Sequence, residues 1–227
     1  MKVILFGGSG EVGGAVARSL IESGFCTKLT LIGRRKLDEF ENTAGVVQHI
    51  VDSSSEDFEQ IVKEKAAGHD AAVCCIGIGS GTYRMSEEQM MEVEVRMTGK
   101  YARGCRAAGI EIFELLTAFG ASEKSASSKN KYLRVLGKKY RTVLDVGFPG
   151  LAVFRPGMIV GNKHTPHWMT FFTALIPDSL GIGNIRQEEI GRAFAAHLEK
   201  IAPTQTEPVI VYGNKEMKQL IHNRIHA

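Results

Sequence analysis

Val3-Ile4-Leu5-Phe6-Gly7-Gly8-Ser9-Gly10-Glu11-Val12-Gly13 opens with four apolar residues and turns through a run of glycines. It then enters a segment, Glu11 to Ser23, where Val12, Val16, Leu20 and Ile21 recur near helical spacing. The order is strand, glycine turn, helix. The glycines satisfy G-x-x-G-x-x-G and, counted from Gly8, G-x-G-x-x-G. Between a strand and a helix, that pattern fits a dinucleotide. One glycine turns the chain sharply, a second lets backbone N–H groups approach a pyrophosphate, and a third lets the helix pack closely on the sheet. These roles fall to Gly7, Gly10 and Gly13, with Ser9, Glu11 and Val12 at the helix N-terminus that faces the anion.

The same alternation continues outward. Further strands read at Lys28–Ile32, Val46–Val51, Ala71–Ile76, Ile110–Leu116 and Leu151–Phe154. Between them lie helical patterns after a cap at Ser55, over Ser86–Ala108 and over Tyr132–Val146. The strands are continuous apolar runs, as expected where helices cover both faces, so the fold is read as α/β with a doubly wound parallel sheet. Glycines and prolines break the pattern over residues 157–185, around Trp168, Phe171 and Phe172. Glu188–Lys200 then reads as a helix, Val209–Tyr212 as a strand and Lys215–Ile225 as a last helix. With no linker in view, residues 1–227 are read as one domain, with 157–185 and 213–227 forming a small irregular C-terminal lobe and extension.

Composition narrows the function. Lys plus Arg (28) against Asp plus Glu (25) gives a formal charge of +3, too little for a phosphate-backbone partner, so nucleic acid is not expected. The longest apolar stretch, Ala71 to Gly79, falls short of the ~20 residues needed to span a bilayer, so no membrane partner is expected. Cys26, Cys74, Cys75 and Cys105 lack zinc-type spacing and are read as buried free thiols. No metal site is expected. The opening apolar run is too short for a signal peptide, which points to a soluble, cytoplasmic protein.

Where an NAD-binding chain carries an acidic residue for the adenosine ribose, this chain has Gly33-Arg34-Arg35-Lys36. Guanidinium groups there suit a 2′-phosphate, so the cofactor expected is NADP(H) in preference to NAD(H), held by Arg34 and Arg35. Asp52, with Ser53 beside it, ends the third strand and either accepts from the adenine amino group or merely begins a turn. Ile76-Gly77 after the fourth strand is read as passing close to the adenine-side ribose.

Taken with Leu31-Ile32-Gly33-Arg34-Arg35, Cys74-Cys75-Ile76-Gly77, Leu115-Leu116-Thr117, Tyr132-Leu133-Arg134-Val135 and Val153-Phe154-Arg155-Pro156-Gly157, the chain resembles the atypical short-chain dehydrogenases/reductases, in particular the Tat-interactive-protein-like oxidoreductases. The resemblance covers roughly residues 1–162. It implies a Rossmann-like sheet with a small C-terminal substrate lobe, and it makes Pro156 and Gly157 contacts of the nicotinamide half. Relatives that reduce carbonyls use a Ser after the fifth strand and a Tyr-x-x-x-Lys pair on the next helix. The tyrosine gives the proton, the serine orients the carbonyl oxygen, and the lysine lowers the phenol's pKa and holds the nicotinamide ribose. Tyr132 matches the tyrosine, and Thr117 can supply the hydroxyl.

Two departures stand out. Leu136 occupies the lysine position, and Ala118 follows Thr117 where the family has a serine. Lys139 shares the helix face, but two turns from Tyr132, ~10.5 Å along the axis, it is read as too distant to substitute. Without the lysine the phenol stays near ~10 and is a weaker acid. His164 and His167, in the irregular segment, are weighed as substrate contacts or an alternative acid, and read as solvated. Two functions follow: an NADP(H)-dependent oxidoreductase on a small carbonyl or alcohol, with Tyr132 and Thr117 catalytic and a small-molecule substrate, or a catalytically degenerate NADP(H)-binding regulator or redox sensor acting through a protein partner.

Overall fold

Alternation along β1 (Lys2–Phe6) sends Val3 and Leu5 to one face of a sheet and Ile4 and Phe6 to the other, and all four are buried. A strand buried on both faces must lie inside a sheet with helices on each side, and the computed structural model, which describes residues 1–160 and 183–225, has that architecture. The partners of β1 are β2 (Lys28–Gly33) and β4 (Ala71–Cys74), both parallel to it, with Leu5 opposite Leu31 on one side and Val73 on the other. Outward follow β3 (Val46–Ile50) beyond β2, and β5 (Ile112–Leu116) and β6 (Gly150–Phe154) beyond β4. Two short strands, β7 (Met158–Val160) and β8 (Asn184–Arg186), pair separately, and β9 (Val209–Tyr212) closes the main sheet. The order is β3-β2-β1-β4-β5-β6-β9, every pair parallel, a Rossmann-like arrangement.

One face of the sheet is covered by α1 (Glu11–Glu22) through Val16 and Leu20, and by Ile190 and Phe194 of a helix over Gln187–Ala196. The other carries α2 (Phe58–Ala66), α4 (Thr98–Ala107) and α5 (Lys131–Leu144), through Phe58, Val62, Tyr101, Cys105, Tyr140 and Val143. Tyr101 keeps its hydroxyl satisfied by donating to the Ile4 carbonyl at 2.9 Å. We call the Gln187–Ala196 helix α6 and the last helix, Asn214–Ile225, α7. The latter, expected to belong to an extension, packs Met217 and Ile221 into the core beside α6. His164 and His167, and most of the expected substrate lobe, lie outside the described residues.

Some sequence readings change. Ser55, expected to cap α2, instead accepts from the Asp57 N–H at 3.2 Å and closes the turn before the helix. The helix expected over Ser86–Ala108 does begin at Ser86, in a capping box with Gln89, but its middle is π-helical from Glu92 to Met97, between α3 (Glu87–Met91) and α4. Cys74, Cys75 and Cys105 are buried free thiols as expected, whereas Cys26 is half-buried.

A buried acid also sits in the sheet. Glu114 of β5 holds His197 Nδ1 at 2.7 Å, neither side chain is exposed, and among the described residues its second oxygen has no partner. Burial pushes its carboxyl up to about 7 against the opposing pull of His197. A carboxyl whose folded value lies above its unfolded one contributes stability below the unfolded pKa and loses it as pH rises through the folded one. Relative to wild type, Glu114→Gln is therefore expected to gain about 2 kcal/mol in urea-unfolding stability between pH 5 and pH 8. A difference that does not change with pH would contradict the assignment.

Candidate functional site

Strand order reverses at β1, whose following loop runs to one side while that of β4 runs to the other, so a crevice opens at the C-terminal ends of the strands. The glycine turn lies in it. Gly7 has φ +98°, a backbone shape that favours glycine, and a Cβ there would stand 2.6 Å from the backbone of Cys75 and Ile76. A Cβ on Gly13 would stand 2.1 Å from the Gly7 carbonyl oxygen, so α1 can start this close to β1 only with glycine there. Gly10 differs: a Cβ on it would meet only that carbonyl, at 3.5 Å. Its backbone is extended, and no side chain caps α1, whose first N–H groups are left for an anion. The three roles read from sequence are thus distinct in space. Gly7 and Gly13 fit the protein to itself, whereas Gly10 borders open space before α1.

Besides an open hollow over Arg18, Lys36 and Glu39, two cavities meet at this turn. One, of about 460 Å³, is lined by Gly7, Ser9, Gly10, Arg34, Arg35, Ser53, Ile76 and Gly77 among others. The second, of about 500 Å³, runs from Glu11, Val12 and Gly13 to Thr117 and Tyr132, and shares Ser9, Gly10, Ile76 and Gly77 with the first. A dinucleotide has this division: two ends joined by a pyrophosphate. At the first end, Lys36 is paired with Glu41, but among the described residues neither Arg34 nor Arg35 is in an ion pair; Arg35 reaches only the Ser9 carbonyl, at 3.5 Å.

At the other end, the Thr117 N–H is fixed by the Phe154 carbonyl at 2.9 Å, while its hydroxyl oxygen is buried without a partner among the described residues. An unmet buried hydroxyl costs about 1–3 kcal/mol, a cost that a ligand oxygen in the cavity would relieve. Tyr132 stands near the start of α5, which the Asn130 side chain caps by accepting from the Leu133 N–H at 3.1 Å. Tyr132 is 36% exposed and lines the second cavity. The residues present fit a nicotinamide dinucleotide at both ends.

Asp52, Pro156 and Gly157 are not brought into either cavity. Asp52 is exposed and accepts from the Ser54 N–H and hydroxyl at 2.9 and 2.6 Å, which, with the Arg34 charge nearby, hold its carboxyl below the usual range. It begins a turn, the second of the two readings from sequence. The Pro156 carbonyl accepts from Phe119 N–H, and the Gly157 N–H donates to Asn214 at 2.9 Å, so both tie the end of β6 to its neighbours.

Sequence reasoning missed Glu94 and set Lys139 aside. Both line the second cavity with Tyr132, Thr117 and Leu136. The axial separation from Tyr132 remains, but helical side chains lean toward the N-terminus, and Lys139 extends its ammonium into the wall of the same cavity. The signal was present in the pattern. Glu94 lies between Met90 and Met97, and Lys139 between Leu136 and Val143, each on the apolar stripe of its own helix.

Comparison with known proteins accords with this geometry. The profile of an NAD(P)H-binding family matches residues 7–144. Among curated proteins, the chain is 33% identical over 191 residues to Protein HTATIP2 of Rattus norvegicus, covering 80% of this chain and 74% of that protein. It is 24% identical over 222 residues to Protein FMP52-2 of Scheffersomyces stipitis, covering 91% of each. The latter is named as mitochondrial, which lends no support to the cytoplasmic location expected from sequence. Among the described residues, no helix is long and apolar enough to cross a membrane. Among solved structures, a dTDP-glucose 4,6-dehydratase from Streptomyces venezuelae with NAD bound superposes with TM-score 0.71 at 13% identity, covering 100% of this chain and 82% of that one. A UDP-glucuronic acid 4-epimerase from Bacillus cereus in complex with NAD gives 0.66 at 14%, covering 94% and 78%. At such identities the likeness is one of fold.

The glycine geometry separates binding from folding. Gly10→Ala is expected to keep the thermal midpoint of the wild type while weakening nucleotide binding at least tenfold. Gly13→Ala is expected to lose about 1–3 kcal/mol or more of stability through overpacking. Calorimetric titration and thermal denaturation of the two variants check this; undiminished nucleotide binding by Gly10→Ala would contradict it.

Proposed function

Because the chain belongs to the NAD(P)H-binding family, as an atypical short-chain dehydrogenase/reductase of the Tat-interactive-protein-like branch, we propose that it is an NADP(H)-dependent oxidoreductase of a small carbonyl or alcohol. The observation that carries the reading is the buried Thr117 hydroxyl, unpartnered among the described residues, in one cavity with Tyr132 and joined through the glycine turn to the arginine-lined cavity. The preference for NADP(H) is supported by Arg34 and Arg35, whose guanidinium groups are not in ion pairs with carboxylates among the described residues.

The nicotinamide cofactor, when bound, supplies the hydride. Glu11, Val12 and Gly13, at the start of α1, hold the pyrophosphate through backbone N–H groups. Thr117 donates its hydroxyl to the substrate carbonyl oxygen and fixes the carbonyl's direction. Tyr132 gives its phenolic proton to that oxygen as the C=O π bond opens, so the carbonyl is reduced to an alcohol and the phenol becomes phenolate. At 36% exposure the phenolate can be reprotonated from water, a route that does not need the absent lysine. Apolar Val12, Ile78, Leu116, Leu136 and Ile159 in the same wall favour a substrate with a hydrocarbon body around its one polar group.

One observation favours the second reading, a degenerate NADP(H)-binding regulator. Leu136 is 2% exposed and fills the lysine position of the relay with hydrocarbon. Turnover separates the two. Across a carbonyl panel, wild type is expected to oxidise NADPH, with kcat reduced about a hundredfold or more in Tyr132→Phe and about tenfold or more in Thr117→Val. Wild type without turnover, gaining it in Leu136→Lys, would establish the regulator instead. Arg35→Ala is expected to weaken NADPH binding far more than NADH binding, and equal losses would contradict the NADP(H) assignment.

A further inference from the structure

Lys139 and Glu94 form an ion pair in the wall of the second cavity, with side chains only 2% and 4% exposed, and the proposed chemistry leaves both unused. The lysine ammonium donates at 2.6 Å to the Ile76 carbonyl and at 2.9 Å to one Glu94 oxygen. The other Glu94 oxygen accepts from the Ile78 N–H at 2.9 Å. The carboxylate is therefore held by the loop after β4, and that loop and the carboxylate together hold the lysine. Stability does not account for the arrangement, because a buried pair of this kind is often matched or bettered by apolar residues of the same volume.

An ammonium has three donors and no acceptor. Among the described residues two are spent on Ile76 and Glu94, and one remains on a group that lines the cavity. The cavity runs from the glycine turn, where the pyrophosphate belongs, to Thr117 and Tyr132, where the reacting carbonyl belongs. In a nicotinamide dinucleotide, the part between pyrophosphate and ring is a ribose with two hydroxyls. We propose that Lys139, held by Glu94 and the Ile76 carbonyl, donates its third N–H to a hydroxyl of that ribose and so anchors the nicotinamide half of the cofactor. The assignment rests on the reading of the cleft as a dinucleotide site.

The position is new for the role. Leu136 fills the family's lysine site, and Lys139 reaches the cavity from about one helical turn further on. Burial alone would pull the ammonium's pKa down, but Glu94 outweighs it and the group is held charged at neutral pH.

The test compares whole cofactor with its adenine half by calorimetry. The full chain is titrated with NADP+ and with 2′,5′-ADP, or with NAD+ and ADP if NAD+ is the tighter ligand, in wild type and in the double variant Glu94→Gln/Lys139→Met, which leaves no unpaired charge. The double variant is expected to bind the dinucleotide about tenfold or more weakly while its affinity for the fragment is unchanged. Equal proportional losses for dinucleotide and fragment would overturn the proposal. Should the variant fail to fold, wild type is titrated with a dinucleotide lacking the 2′- and 3′-hydroxyls of the nicotinamide ribose. About tenfold weaker binding than the parent supports the anchor, and equal binding overturns it. Wild type that binds neither dinucleotide nor fragment would overturn the dinucleotide reading itself.

Discussion

The first turn of α1 can stand where it does only because Gly13 has no Cβ to strike the Gly7 carbonyl, and Gly7 can lie against Cys75 and Ile76 only because it too lacks one. That double close approach brings the start of a helix up to the middle of a parallel sheet, at the point where strand order reverses. Everything functional is arranged around it. The two cavities share Ser9, Gly10, Ile76 and Gly77, so the turn is both the join of the fold and the join of the cleft.

Cost marks the two ends of the cleft. A buried hydroxyl without a partner and a buried ion pair are both unfavourable in a core that could have been filled with hydrocarbon. Thr117 and the Lys139–Glu94 pair occur together in the wall of one cavity. At the other end, the basic run after β2 leaves two of its three side chains out of ion pairs with carboxylates among the described residues, while the third is paired with Glu41. A carbonyl oxygen, a ribose hydroxyl and a phosphate are the groups that these side chains would satisfy.

Much of this was legible in the sequence, because the inner strands are buried on both faces and their apolar runs read directly as a parallel sheet; β9, at the edge, was recovered to the residue. The glycine turn was legible for the same steric reason that makes it necessary. What escaped was tertiary. A linear pattern cannot show that a helix shifts into a π-turn over Glu92–Met97, nor that Lys139 and Glu94, 45 residues apart, find each other across the cleft. Axial distance along α5 did not show that Lys139 lines the same cavity as Tyr132, because a long side chain leans toward the helix N-terminus. Asp52 illustrates the opposite case: two hydrogen bonds to Ser54 use it locally, and the Arg34 charge adds only a smaller pull.

The central claim is that the cleft is a working site for a phosphorylated nicotinamide dinucleotide. It is tested most directly by calorimetric titration of the wild-type chain with NADPH and with NADH at a single ionic strength, since salt screens the arginine contribution. Micromolar binding of NADPH, with NADH bound at least tenfold more weakly, is the result expected. No binding of either nucleotide would contradict the account, reducing the glycine turn to a packing device of the fold.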